Sequence, residues 1–175
     1  SKFLEPACGN GNFLLEVLKR KVQVIREKYY HSQSNFEKYL FLATSSIYGI
    51  DILKDNVIEC RKRLLEFLIN EYNDLFKKTY KEKFISSIKF VLSKNILHGD
   101  ALTLKNYSLD LFGEQIIFSD WSITNSNLVK RKDFIFSDLI EQSSHREMPL
   151  FSNLNVENEA FIPKPIADFP LKHFL

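Results

Sequence analysis

Apolar residues recur along this chain with two periods, and the two periods predict strands that alternate with helices. Short apolar runs bounded by turn residues are typical of strands. Such runs occupy residues 2–4, 46–52, 95–100 and 115–121, and residues 88–92 extend the third of them. Because strands that alternate with helices favour a parallel sheet, we expect an α/β fold with flanking helices.

Helical periodicity fills the segments between these strands. Residues 12–30 carry apolar side chains every three or four positions, and residues 36–42 predict a second, short helix. A longer helix is expected after the second strand, with Asn56 as its N-cap and Glu59 completing a capping box. The apolar stripe of this helix continues to Tyr80.

The periodic pattern weakens after Ser122. Residues 133–142 predict one short helix, and residues 161–165, which contain two prolines, predict an extended stretch. We therefore expect a core over residues 1–122 and an irregular C-terminal tail over residues 123–175 that packs on it.

An acidic residue stands at or just after the end of each predicted strand. These residues are Glu5, Asp51, Asp100 and Asp120. In a parallel sheet, ligands bind in the crevice beyond the carboxyl ends of the strands. Four acids at four strand ends therefore predict a single ligand-binding crevice.

Two glycines, Gly9 and Gly11, lie between the first predicted strand and the first predicted helix. Glycine lets a backbone approach a ligand closely, and a helix N-terminus follows directly. A dinucleotide fingerprint needs a third glycine and an acid about 20 residues further on. The third position here is Leu14, and Asp51 lies 40 residues past Gly11. This spacing favours a ligand that has a ribose but no pyrophosphate.

The glycine loop closely resembles the first cofactor motif of bacterial DNA adenine methyltransferases. That motif reads Asp or Glu, then Pro-Ala-Cys-Gly, a small residue and Gly-Asn-Phe, and residues 5–13 match it. Residues 48–52 resemble the second motif of the family and residues 99–102 resemble the third, in the same order. The chain is similar to short methylation subunits of restriction–modification systems, including its last residues, 161–175.

This resemblance implies a class I methyltransferase fold, which is Rossmann-like, with S-adenosylmethionine as the cofactor and DNA as a partner. The cofactor-binding residues it implies are Glu5, Pro6, Ala7, Gly9, Gly11, Phe13, Asp51, Ile52, Asp100 and Ala101. The alternative for the two later acids is that they are helix caps or solvated loop residues.

The implied roles have physical reasons. Glu5 would face the ammonium group of the cofactor, and Asp51 would accept both ribose hydroxyls, since a carboxylate is an acceptor only. Ile52 would pack on the adenine face, Phe13 would help to wall the pocket, and Asp100 would accept from the exocyclic amine.

The fourth family motif is matched only in part. It has Asn, Asp or Ser at a strand end, then two prolines and an aromatic residue that stacks on a flipped adenine. Here Ser119 or Asp120 offers the acceptor and Trp121 the ring, so these three are the candidate catalytic residues, but both prolines are missing. The alternative is that Trp121 is a core or edge aromatic and Asp120 a surface acid.

The sheet of such an enzyme would be incomplete after the fourth strand. Family members continue with three more strands, whereas the residues after Ser122 do not show that pattern. We expect the tail, a second copy of the chain, or a specificity or nuclease subunit to cover the open edge. The basic run at residues 130–132 either contacts DNA phosphates or is a solvated loop.

Composition limits the function classes. The 175 residues are 45% hydrophobic and 26% charged with a net charge of +2, which excludes a disordered or fibrous chain. No apolar run reaches the length of about 18 residues that a membrane span needs, so no membrane partner is expected. Cys8 and Cys60 lack metal-ligand spacing, so we expect no metal and a cytoplasmic location.

Three functions remain open. The first is methylation of adenine in DNA by an enzyme of a restriction–modification system. The second is a degenerate methyltransferase-like subunit that binds the cofactor or a partner without catalysis. The third is methylation of an amine in a protein or in RNA.

Overall fold

The computed structural model describes residues 1–107, 113–124, 128–140 and 164–173. The protein has an α/β fold, in which a mixed sheet with parallel central strands is flanked by helices. Residues 141–163, which include part of the predicted short helix and the start of the predicted extended stretch, lie outside the described residues.

Three parallel strands form the centre of the fold. They are β1 (Phe3–Glu5), β2 (Ile47–Asp51) and β3 (Ile96–Asp100), in that spatial order. A short strand, β4 (Lys105–Asn106), pairs antiparallel with β3. The first three predicted strands are therefore confirmed, and their carboxyl ends lie at one edge of the sheet.

Four helices connect the parallel strands: α1 (Asn12–Tyr29), α2 (Gln33–Thr44), α3 (Lys54–Phe76) and α4 (Glu82–Asn95). The prediction that residues 88–92 are extended is wrong, because they belong to α4. Ile88, Val91 and Leu92, with others of this helix, follow a helical spacing and are buried against the core.

The predicted start of the long helix is also wrong. Its N-cap is Leu53, without a side-chain cap, and Asn56 lies inside the helix. The side chain of Asn56 donates instead to the carboxylate of Asp51. The helix proper ends at Phe76, and Lys77–Thr79 form a turn of 3-10 helix.

A second sheet follows, and it is antiparallel. Strand β5 (Ile117–Ile123) pairs along its whole length with β6 (Leu128–Ile135), which also pairs with β7 (Ala167–Asp168) and β8 (Lys172–His173). The fourth predicted strand thus does not extend the parallel sheet. The prediction of a helix from residue 133 is wrong, because residues 133–135 belong to β6 and helical structure begins only at residue 136.

The two faces of the parallel sheet are covered by different layers. On one face, Ile47 and Ile96 pack in a core shared with α1–α4. Alternate residues on the other face, among them Tyr48 and Ile50, pack against Phe118 of the second sheet. The parallel strands are therefore enclosed between helices and an antiparallel sheet. None of the helices in the described segments has the length and apolarity to cross a bilayer.

Candidate functional site

The glycine loop turns the chain from β1 into α1 through two left-handed backbone conformations. Gly9 has a φ of 53° and Gly11 a φ of 84°, a region that residues with a Cβ atom rarely adopt. A Cβ atom at Gly11 would also lie 2.6 Å from the Sγ atom of Cys60, whereas one at Gly9 would meet no atom within 4 Å. The loop therefore packs tightly on α3 at Gly11 and is open at Gly9.

Asp51 holds this loop against the start of α3. Its carboxylate accepts from the Gly9 amide at 2.8 Å, from the Leu53 amide at 2.9 Å and from the Asn56 side chain at 3.0 Å. Only 8% of Asp51 is exposed. Since a carboxylate has about four acceptor positions, roughly one remains for a ligand hydroxyl. The family resemblance implies that both ribose hydroxyls bind there, whereas the three internal donors leave about one acceptor position.

Glu5 and Asp100 end the two neighbouring strands. Glu5 accepts weakly from the Ala7 amide at 3.4 Å, and both Pro6 and Ala7 are exposed. Asp100 accepts from the Leu102 amide at 2.8 Å, and this hydrogen bond lowers the pKa of the Asp100 carboxyl. We call this edge, with the acids at the ends of β1, β2 and β3, the carboxyl edge.

Exposed apolar side chains accompany these acids. Phe13 is 56% exposed, Ile52 56% and Leu53 59%, and Leu102 is 95% exposed. Leu53 and Leu102 were not predicted as site residues, although each stands two positions after a strand-end acid. Ala101, by contrast, packs against the core on the second-sheet side. The carboxyl edge thus combines acidic groups with accessible apolar surface.

The candidate catalytic residues do not lie at this edge. Trp121 is buried inside β5, where its ring meets Phe41 and Phe90 and its Nε1 atom donates to Asn95 Oδ1 at 3.0 Å. This ring is therefore packed in the core, and its stacking on a target base stays a prediction. The alternative of a core aromatic, which the sequence left open, describes its position.

Ser119 is also enclosed. Its hydroxyl donates to Asp133 at 2.7 Å and accepts from Arg131 at 3.0 Å, and only 2% of the residue is exposed. Its backbone carbonyl accepts from the Tyr48 hydroxyl. With these partners, the hydroxyl hydrogen and one acceptor position of Ser119 are used within the second sheet.

Asp120 is partly exposed, but it lies at the opposite end of the parallel sheet. It forms an ion pair with Lys2, the residue before β1. Lys2 and Glu5 are separated by about 10 Å along the strand, at roughly 3.3 Å per residue. The structure therefore places three of the four predicted acids at the carboxyl ends of the parallel strands and leaves Asp120 apart.

Cys8 and Cys60, both buried, meet beneath the glycine loop. The hydrogen bond between their side chains, together with burial, raises the pKa of the Cys8 thiol, whereas the same bond lowers that of Cys60. Cys8 is thus a small buried side chain that supports the loop.

A cavity of about 520 Å³ lies between β1 and the second sheet, lined by Phe3, Tyr48, Phe118 and Asp120 among others. None of the acids of the carboxyl edge lines it. No group of three or more His, Cys, Asp or Glu side chains in the described segments is arranged to hold a metal. Comparison with protein-family models, with curated proteins and with solved structures gives no match for this chain.

Proposed function

We propose that this chain binds S-adenosylmethionine at the carboxyl edge and serves as a methylation subunit for the exocyclic amine of adenine in DNA. The observation that carries the proposal is the clamp between the glycine loop and Asp51 at the end of β2. The motif resemblance of residues 5–13, 48–52 and 99–102 supplies the identity of the cofactor, and DNA and a restriction–modification system as the setting.

The residues of the carboxyl edge suit the parts of this cofactor. Ile52 and Phe13 offer exposed apolar surface for the adenine ring. Asp51 retains about one acceptor position for a ribose hydroxyl, and the open space at Gly9 admits a ligand against the backbone. Glu5 offers a carboxylate for the ammonium group. When bound, the cofactor supplies a methyl group on a positively charged sulfur.

We propose that the groups that bind the target adenine are not Ser119 and Trp121, because both residues are buried in the second sheet. A class I methyltransferase arrangement would need its acceptor next to the carboxyl edge, and Asp120 is paired with Lys2 at the other end. A specificity or nuclease subunit, or a second copy of the chain, is the proposed source of these groups.

Transfer of labelled methyl groups from S-adenosylmethionine to unmethylated DNA tests this proposal. We expect little label with the chain alone, and label in adenine-containing DNA once a partner subunit is added. DNA lacking adenine is the control. Label in that control, or cofactor binding without methylation in any combination with a partner, would contradict the proposed activity.

A second candidate function is cofactor or partner binding without catalysis. The buried position of Trp121 and Ser119 favours it, since a degenerate fourth motif loses its access to substrate. S-adenosylmethionine binding that persists in the absence of methyl transfer to DNA, RNA or protein substrates would support this candidate over the first.

A further inference from the structure

A second cavity, of about 370 Å³, lies on the helix side of the antiparallel sheet, away from the carboxyl edge. We call it the aromatic cavity, because Phe41, Phe90, Trp121 and Phe169 line it. Its volume falls in the range of small-molecule sites, about 300 to 1,000 Å³. Trp121 connects it through Asn95 to the backbone of Ile47, at the amino end of β2.

Arg131 stands at the centre of the aromatic side chains. Its guanidinium carbon lies 4.1 Å from the ring centroid of Phe169, 5.5 Å from that of Phe90 and 5.7 Å from that of Trp121. The Nε and Nη2 atoms donate to Asp133, which fixes the plane of the guanidinium and leaves the two hydrogens of Nη1 outside these bonds.

The polar groups around the aromatic cavity include hydroxyls and cations, and the Ser87 hydroxyl already donates to the Lys83 carbonyl. Ser86 and Ser87 contribute hydroxyls, and Lys172 contributes an exposed ammonium group. None of the described lining residues is acidic. Phe90, 46% exposed, presents its ring at the mouth, with the Lys94 ammonium 5.7 Å from its centroid. A site of this kind favours a planar aromatic ring that carries negative charge.

We propose that the aromatic cavity binds a nucleotide, with the base against Phe90 and the phosphate near Lys172. Aromatic platforms flanked by cations bind bases of any sequence by stacking, and phosphates by charge. Two ligands combine a base with a phosphate in this way: a free mononucleotide, and an unpaired nucleotide of a single strand. The inference does not rest on cofactor binding at the carboxyl edge.

Trp121 is the only tryptophan of the chain, so its fluorescence reports directly on this cavity. Titration of the full chain with adenosine monophosphate and with a short oligothymidylate should give saturable quenching. Equal affinity for the two probes assigns the cavity to a free nucleotide. Tighter binding of the oligonucleotide, weakening steeply with salt, assigns it to a single strand.

Two variants test separately how stacking and charge contribute to nucleotide affinity. Phe90→Ala should weaken binding about tenfold, the usual scale for one stacked base. Lys172→Gln should weaken it less and reduce its salt dependence. Ile58→Ala is the matched control, because Ile58 is similarly exposed, at 52%, on α3 and does not line the cavity.

Absence of saturable quenching by either probe would overturn the proposal. So would equal affinity in Phe90→Ala and the wild type, or competition by inorganic phosphate as effective as that by the mononucleotide. Calorimetry with S-adenosylmethionine should give the same affinity for Phe90→Ala as for the wild type. A loss there would mean that the cofactor itself uses the aromatic cavity.

Discussion

Similar acidic residues have different burial and different partners in the parallel sheet and in the antiparallel sheet. At the end of β2, Asp51 is nearly buried and accepts from the loop after β1 and from the start of α3. In β5, Asp120 lies in mid-strand and pairs with Lys2 on a partly exposed surface. A strand-end acid thus joins a site only if its strand runs parallel to the others and ends at the same edge.

The difference also separates two kinds of aromatic side chain. Phe13, at the first turn beyond the glycine loop, keeps 56% of its surface exposed, whereas Trp121 keeps 9%. One is available to a ligand at the carboxyl edge, and the other stabilises the contact of the second sheet with α2 and α4. The following substitutions test this division.

Truncation of Trp121 should have the largest effect on stability. We expect Trp121→Ala to lower the free energy of unfolding by about 3 to 5 kcal/mol, the usual cost of removing a buried large aromatic. Urea denaturation followed by circular dichroism measures it, and Trp121→Phe is the milder variant. A loss below about 1 kcal/mol for Trp121→Ala would mean that the ring is not a core residue.

Alanine at the two loop glycines should have unequal effects. Both substitutions place a Cβ atom at positive φ, at a cost of about 1 to 2 kcal/mol. Gly11→Ala should lower the free energy of unfolding by about 1 to 3 kcal/mol more than Gly9→Ala does, because its Cβ atom would overlap the Cys60 sulfur. Thermal melts of both variants check this. Addition of Cys60→Ala to the Gly11→Ala variant should recover the additional stability that Gly11→Ala loses. Equal losses would contradict the packing described for Gly11.

Removal of the Asp51 carboxylate should act on stability and on cofactor binding together. Asp51→Ala leaves the Gly9 and Leu53 amides without their acceptor, which costs about 1 to 3 kcal/mol. S-adenosylmethionine binding should be lost in calorimetry. Asp55→Ala, an exposed acid in the first turn of α3, is the matched control. Unchanged cofactor affinity in Asp51→Ala would refute the ribose assignment.

Asp120→Ala should have the smallest effect. The ion pair with Lys2 is solvent-accessible, and such pairs contribute about 0 to 1 kcal/mol. Cofactor affinity measured by calorimetry should stay within about twofold of the wild type. A large loss would place Asp120 in the cofactor pocket and remove the distinction between the two sheets.

Local sequence patterns predicted the first half of the fold well. The helical stripe of α1 and the apolar runs of β1, β2 and β3 are complete within short segments, so their period is visible without tertiary information. The glycine loop and its two strand-end acids followed from these elements. Residues 88–92 were misassigned, because a short apolar run has no clear period unless Phe84 and Ile85 are included with it.

The second half depended on long-range pairing. Residues 128–135 carry a basic run that gave no strand period, and they become a strand through pairing with β5. Because β5 pairs with β6, the antiparallel register fixes the positions of Ser119, Asp120 and Trp121, and it sets Trp121 opposite Arg131. No local pattern shows whether a fourth strand extends the parallel sheet or packs across its face.

Mapping of S-adenosylmethionine on the isotopically labelled chain by NMR is the most direct test of the carboxyl edge. We predict the largest amide shift changes at Gly9, Gly11, Ile52 and Leu102, with β5 and β6 little changed. Shift changes confined to the second sheet, or none at cofactor concentrations that saturate ordinary methyltransferases, would contradict a cofactor site at the ends of the parallel strands.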